Sequence, residues 1–496
     1  MPFTDGSSQL EPLLFQMKQY KNLTKSTIEI TPSSGQGNYS PNQKIIFTLP
    51  YASTISLEDL ALHFTFTSKN LPVATATSGG DSTCIEKITA PRDVASLISE
   101  IDIKINGQTV QHLTRYNDIV NIFEQFQNGS VSASALAGAN KYKNVWEQMY
   151  TIDDASGVIT PGNKDINKVA ANNVVSKKFI VNKWYGLLGA RGKETSSNFI
   201  DTNMLGEVTI AFTLARASVC PSVIKTEADA QSDVSGLTTG EYSAAKNGRN
   251  TSYELSDIKM SMVRYNLPNS YGEALSSNLS GGAKYQIAFN HYEFHTQKAG
   301  KASDTIRWNE NSRDIKGLLA VFTDNERENT NLPMTYDASM NTSPYFKYEN
   351  TIHDNSQFQI GSVKMPQNVL DTESVYLENC RGLFPNRGHD GIISGGLNNA
   401  AGTSFTYKSN GDIVEFLQYY FMAYLSLEMS EGVSAEAKMG KKLLSGLSSE
   451  QLPISCSYSY KNKGANTKSW DKSVHVISLT TRMLVIENGQ SVHVEI

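Results

Sequence analysis

The chain has 496 residues, too many for one ordinary β-sandwich and enough for two domains of roughly 200–250 residues, each with its own core. It is 19% charged, 9% aromatic and 39% hydrophobic, a polar and aromatic balance that suits sheet and long ordered loops better than helical bundles. A net charge of −5, with Lys/Arg excess nowhere beyond isolated pairs such as Lys177-Lys178 and Lys441-Lys442, excludes a chain that coats itself with nucleic acid.

In chain order, the start MPFTDGSSQLEPLLFQMKQYKN lacks the charged opening and continuous apolar core of a secretion signal. Within it Leu10, Leu13, Leu14 and Met17 fall at helical spacing, with Pro12 suited to the first turn. This stripe precedes the first strand. It is expected either to dock on a neighbour as an assembly arm or to fold back on its own domain. Next, Ile45, Phe47 and Leu49 alternate with polar residues, and after a turn Leu60, Leu62, Phe64 and Phe66 alternate with Ala61, His63 and Thr65. A period of two with one apolar face predicts half-buried antiparallel sheet. Ile101, Ile103 and Ile105 lead into the turn pair Asn106-Gly107, a hairpin signal. NDIVNIFEQFQNG then predicts a helix capped by Asn117, with Ile119, Ile122, Phe123 and Phe126 on one stripe.

Residues 130–175 read as a long polar loop elaboration. Strand patterns resume at KKFIVNKWYGLLG and at GEVTIAFTLARA, where Val208, Ile210, Phe212 and Leu214 alternate with Thr209, Ala211 and Thr213. A second polar loop is expected over 221–252. Leu255, Ile258, Met260 and Met262 then suggest a strand with an irregular start. The segment 269–282 reads as a helical connector closed by Gly281-Gly282, and a domain boundary is expected there, giving an arm 1–25, a first sandwich 26–272 and a second 273–496. The second half opens with the alternating KYQIAFNHYEFHT and the apolar IKGLLAVF. It continues through FQIGSVKMP, a Gly/Asn-rich loop at 385–412 and the aromatic stretch Phe416 to Tyr424, expected to pack in a core or subunit interface. It closes on a hairpin that turns at Asn488-Gly489 and returns with Val492, Val494 and Ile496 on one face.

Motifs that carry chemistry are absent: there is no phosphate-binding loop, dinucleotide fingerprint, zinc-protease helix or nucleophile elbow. His291, Glu293 and His295 share one strand face and could hold a metal, but a polar strand face is the better reading. His389-Asp390 lies in a Gly-rich loop without a nucleophile at any telling spacing, and the adjacent carboxylates Asp153-Asp154 and Glu58-Asp59 do not make an acid–nucleophile pair. Cys84, Cys220, Cys380 and Cys456 are scattered and read as free thiols. Asn-x-Ser/Thr triplets at Asn22, Asn38 and Asn128 read as chance in so Asn/Ser/Thr-rich a chain. No enzyme activity and no cofactor is expected.

The strands opening at SPNQKIIFTLPYASTISLEDLALHFTF, the strand–hairpin–helix SEIDIKINGQTVQHLTRYNDIVNIFEQF, the strand LGEVTIAFTLARA and the terminal hairpin together resemble the double jelly-roll major capsid proteins of tailless icosahedral double-stranded DNA viruses. The likeness is greatest to the polinton-like virus, adintovirus and virophage type, and more distant to the adenovirus-type hexons. It spans most of the chain as a pattern rather than a strict motif. The resemblance implies a mainly β chain of two tandem eight-stranded antiparallel jelly rolls with short inserted helices and long loops. It also implies a homotrimeric, pseudo-hexagonal capsomer whose long loops at 130–175, 221–252 and 385–412 form outward towers. The partners implied are neighbouring capsomers, penton and minor capsid proteins and an optional inner membrane, with no sequence-specific nucleic-acid binding. The location implied is the virion, after synthesis in the host cytoplasm or nucleus. The alternative left open by the residues is a secreted carbohydrate-binding or adhesin sandwich, with a polysaccharide-active enzyme behind it.

Overall fold

The computed structural model describes residues 24–72, 84–127, 176–190, 199–266, 281–299, 303–335, 343–348, 353–379, 397–400, 404–407, 421–427, 454–462, 472–487 and 491–495, apart from a few positions inside these ranges. The stripe Leu10, Leu13, Leu14 and Met17, the loop 130–175, Asp153-Asp154, Glu58, His389-Asp390 and the turn Asn488-Gly489 lie outside the described residues.

Chain order begins with β1 Thr24–Ile30, β2 Lys44–Thr48, β3 Thr54–Ser56, β4 Ala61–Lys69, β5 Leu71–Pro72, β6 Cys84–Ile88, β7 Ile98–Ile105 and β8 Gln108–Leu113. Helix α1 Tyr116–Gln127 follows, then β9 Ser176–Val181, β10 Phe199–Asp201, α2 Thr202–Leu205, β11 Val208–Leu214, β12 Pro221–Ile224, α3 Glu227–Asp233, α4 Thr239–Asn247 and β13 Ser252–Asn266. The expected connector 269–282 lies almost wholly outside the described residues; beyond it come β14 Tyr285–Ala299, β15 Ser303–Glu310, β16 Ile315–Asp324, the one-turn α5 Glu326–Asn329, β17 Met334–Thr335, β18 His353–Ile360 and β19 Val363–Leu370. The last are β20 Leu397–Ala400, β21 Ser404–Tyr407, β22 Met422–Ser426, β23 Ile454–Asn462, β24 Lys472–Glu487 and β25 Ser491–Glu495.

These strands build two sandwiches. The first pairs a sheet ordered β10-β3-β13-β4-β9, with β1 on β13, against a sheet ordered β2-β11-β7-β8. The second pairs β14-β24-β16-β22, with β25 on β24, against β15-β23-β18-β19. The alternation expected for β4 holds: Leu62, Phe64 and Phe66 are buried between the half-buried His63, Thr65 and Thr67. Val208, Ile210, Phe212 and Leu214 of β11 are buried likewise, and Trp184, just after β9 of the opposing sheet, stacks on Phe212. In the second sandwich Phe322 of β16 meets Tyr460 of β23 edge to face at 5.0 Å, and Phe358 of β18 packs on Tyr458 at 4.7 Å. Each such fully buried ring contributes on the order of 1.5–3 kcal/mol, which makes the buried aromatics a main support of these cores. Of the aromatic stretch, Phe421, Met422 and Ala423 are core residues, and 416–420 lie outside the described residues.

Local details follow the chemistry of the turns. Asn106 and Gly107 adopt φ of 50° and 80°, the left-handed pair a two-residue hairpin needs, and join β7 to β8 with Ile105 opposite Gln108. The irregular start of β13 is a bulge: its pairing to β4 slips between Ser256 and Lys259, with Asp257 at φ 51°.

Three expectations are corrected. Asn117 does not cap α1. The helix begins at Tyr116, and the carbonyl of Arg115, itself at φ 52°, accepts the Ile119 N–H at 3.2 Å. The stretch 221–252 is not a loop but strand β12 followed by α3 and α4, and Thr238 with Glu241 forms a full capping box on α4. Within 385–412, Leu397–Ala400 and Ser404–Tyr407 pair as a hairpin of their own.

Candidate functional site

The two sandwiches meet at a seam, and α1 supplies its centre. The apolar part of the contact is aromatic: Phe123 of α1 and Tyr185 lie 5.3 and 6.1 Å, ring to ring, from Tyr292 of β14. The polar part is built on Asp118, in the first turn of α1. Its carboxylate accepts two parallel hydrogen bonds from Arg327 of α5, each 3.1 Å, and a third from the Tyr348 hydroxyl at 3.0 Å. Arg327 also donates to the Tyr345 carbonyl at 3.0 Å and stacks over the Tyr345 ring at 4.8 Å. Both charged residues are about as buried as a core leucine, with Asp118 and Arg327 each 2% exposed. The planar fork of arginine matches a carboxylate in this way and a lysine could not.

Burial alone would raise the Asp118 carboxyl. The charges of Arg327 and Arg115 and the Arg327 hydrogen bond outweigh it and hold the carboxyl below its ordinary value. Burial would likewise lower the Arg327 guanidinium, but Asp118 keeps it fully charged. The flanks add further ties. Arg115 reaches Glu328 at 2.8 Å, and Arg216 donates to the Glu328 carbonyl at 2.7 Å. Arg249 makes a bidentate pair with the buried Glu86 and also donates to the Pro333 carbonyl at 2.8 Å. Directly beyond, β12 of the first half pairs in parallel with β17 of the second, Pro221 opposite Met334.

Two buried histidines adjoin the seam: His291 reaches the first half through Gln111, while the hydrogen-bond partners of His475 all belong to the second half. His475 of β24 is 1% exposed. Its Nδ1 lies 2.8 Å from the Thr296 hydroxyl, and its Nε2 lies 2.9 Å from the Thr323 hydroxyl and 3.4 Å from Arg327 Nη2. His291 of β14 has Nδ1 3.4 Å from the side-chain nitrogen of Gln111 in β8. The Gln111 oxygen is already committed, accepting the Leu187 N–H at 2.7 Å.

The residues singled out from sequence do not converge. Along β14, His291 turns to Gln111, Glu293 pairs with Arg482 at 3.6 Å, and His295 meets the buried Glu310 at 3.0 Å while stacking on Trp308. Each has a partner of its own, and along the row His291 is buried while Glu293 stays exposed, so the face is solvated only in part. No cluster of three His, Cys, Asp or Glu suited to a metal occurs among the described residues. Cys220 and Cys456 are free and buried, and burial pushes the Cys456 thiol up to about 12, which makes it a packing residue rather than a nucleophile. No described helix is long and apolar enough to cross a membrane. Sequence reasoning missed Asp118, Arg327 and His475, because they are separated by more than a hundred residues each. The one local signal was an acid in the first turn of a strongly amphipathic helix.

No protein-family model matches the chain, and no curated protein matches it. Solved structures do. The structure titled PBCV-1 VP54 fitted into a reconstruction of the virophage Sputnik is 12% identical, with TM-score 0.53, over 96% of this chain and 98% of that one. A quasi-atomic model of the PBCV-1 virus capsid matches with the same figures of 12%, 0.53, 96% and 98%. The Sputnik virophage structure is 10% identical, with TM-score 0.50, over 97% of this chain and 90% of that one. At these identities the likeness establishes the fold, two jelly rolls in tandem, end to end.

Proposed function

We propose that the chain is the major capsid protein of an icosahedral double-stranded DNA virus, a structural subunit that forms capsomers and tiles the virion shell. The observation that supports this reading most is the end-to-end match of both jelly rolls, and of their fusion, to chains described as a virus capsid and a virophage. An adhesin or a polysaccharide-active enzyme would be expected to present a ligand groove or a carboxylate pair across a cleft. The concentrated polar chemistry found here is instead buried at the seam, where it binds the two sandwiches to each other.

In this reading the arm is 1–25, the first jelly roll 26–272 and the second 273–496. Three copies form a homotrimer, since a subunit with two similar flanks closes a pseudo-hexagonal ring through heterologous contacts without an open growing edge. The capsomers contact one another, penton and minor capsid proteins, and an inner membrane where one is present. The Leu10, Leu13, Leu14 and Met17 stripe serves as an inward assembly contact, and the loops 130–175 and 385–412 point outward. Light scattering on the purified chain is the direct test. A stable trimer that electron microscopy shows as a pseudo-hexagonal capsomer is expected, and a clean monomer at micromolar concentration would overturn the proposal.

A further inference from the structure

Each seam histidine turns an unprotonated ring nitrogen toward a group that can only donate. Arginine has no acceptor, so the contact of Arg327 Nη2 with His475 Nε2 requires a lone pair on that nitrogen. The Thr323 hydroxyl is then oriented to donate to the same nitrogen, and His475 Nδ1–H donates to Thr296. At His291 the argument is tighter. The Leu187 N–H fixes the Gln111 amide with its oxygen turned away, so the Gln111 NH2 group, which also donates to the Asn290 carbonyl at 3.4 Å, faces His291 Nδ1, and an N–H···N contact there requires a bare Nδ1. Adding a proton to either ring converts an N–H···N contact into two opposed N–H groups. At His475 it also places a second cation against Arg327, in a buried site.

The surrounding groups do not compensate. His475 faces Arg327 from α5, Arg115 and Asp118 from the start of α1, Thr296 from β14 and Thr323 from β16. Asp118 is the one carboxylate of this set acting on the ring, and its oxygens are already taken by Arg327, Tyr348 and Arg115. His291 faces Gln111 and His112 from β8 and Arg482 from β24, with no carboxylate acting on the ring. Burial first and these cations second hold both rings neutral.

We propose that the seam is an acid-released latch: protonation of His291 and His475 in mildly acidic surroundings detaches the two jelly rolls from each other along α1 and α5 while each sandwich stays folded. The inference rests on the seam geometry and not on the shell reading. Opening exposes each ring to solvent, where histidine titrates near ~6.5. At pH 5 each ring released therefore favours the open seam by about 30-fold.

The test is amide hydrogen exchange by mass spectrometry on the full chain at pH 7.5 and 5.0, corrected for intrinsic rates. Peptides from α1 and α5 report the seam and β11 serves as internal reference. Protection of α1 and α5 is expected to fall by about 30-fold or more at pH 5 while β11 is unchanged, and H291Q/H475Q should lose less than about three-fold. Equal losses in the variant, no loss in the native chain, or β11 falling together with α1 would overturn the proposal. If the double variant does not fold, exchange of the histidine C2 hydrogens in the native chain takes its place. Midpoints for His291 and His475 below about 6 are expected, and midpoints at or above it would overturn the latch.

Discussion

At the scale of single residues, the Asp118–Arg327 pair carries consequences that its 2% exposure makes large. Removing one partner leaves an unpaired buried charge, so Arg327→Met is expected to destabilise the chain by about 3–5 kcal/mol in urea denaturation. Replacing both, Asp118→Leu with Arg327→Leu, should cost clearly less than the single change, because no charge is then stranded. The carboxyl of Asp118 is depressed in the folded state. Its contribution is therefore complete above the ordinary carboxylate value of about 4 and is lost as pH falls through the lower folded value. His291 acts in a higher window. Burial, then Arg482 and His112, push it down to about 3. Below about 6.5 the unfolded chain takes up a proton that the folded chain refuses, so stability falls with pH by about 1.4 kcal/mol per unit. His291→Gln should flatten that slope between about pH 6 and 4 in a series of denaturation curves; an unchanged slope would show that the ring is not neutral in the fold.

At the scale of elements, β16 shows how a strand tolerates burial on both faces. Every residue from Ile315 to Thr323 is buried, and the bulge between Ile315 and Gly317 lets Lys316 reach Asn290 at 2.8 Å. Gly317 is required there: a Cβ would stand 2.6 Å from the Tyr424 hydroxyl oxygen and 2.8 Å from its ring. Gly317→Ala is expected to lower stability by about 1–3 kcal/mol by overpacking, read as a drop in Tm. Gly37→Ala, with nothing within 4 Å of the new atom, should change little and serves as the control. Helix α4 shows a signal that was legible and overlooked. Thr238-x-x-Glu241 is a capping box in plain sequence, but the polar composition around it pointed to a loop. Thr238→Ala is expected to cost about 0.5–2 kcal/mol, seen as faster hydrogen exchange within α4.

For the whole molecule, the proposed trimer and the proposed arm are separable by experiment. The stripe Leu10, Leu13, Leu14 and Met17 lies before β1, the first strand, and segments outside a core add little to domain stability. Deleting residues 1–20 is expected to leave a folded trimer of unchanged Tm that no longer forms shells, followed by light scattering and electron microscopy. Insoluble chain from this deletion would assign the stripe to the core instead.

The amino-acid sequence by itself determined the strands. Period-two alternation in β4, β7 and β11 states which face is buried, because a strand has only two faces and water sorts them. It determined the Asn106-Gly107 hairpin for the same local reason, since few residues accept two successive positive φ values. Only the tertiary structure decided the seam. Asp118, Arg327 and His475 look in sequence like ordinary members of a helix turn, a charge run and a strand. Their meaning comes from Asp118 meeting Arg327 across the two halves and His475 meeting Arg327 beside it, out of water, where a charge must find its partner and a neutral ring must keep its lone pair.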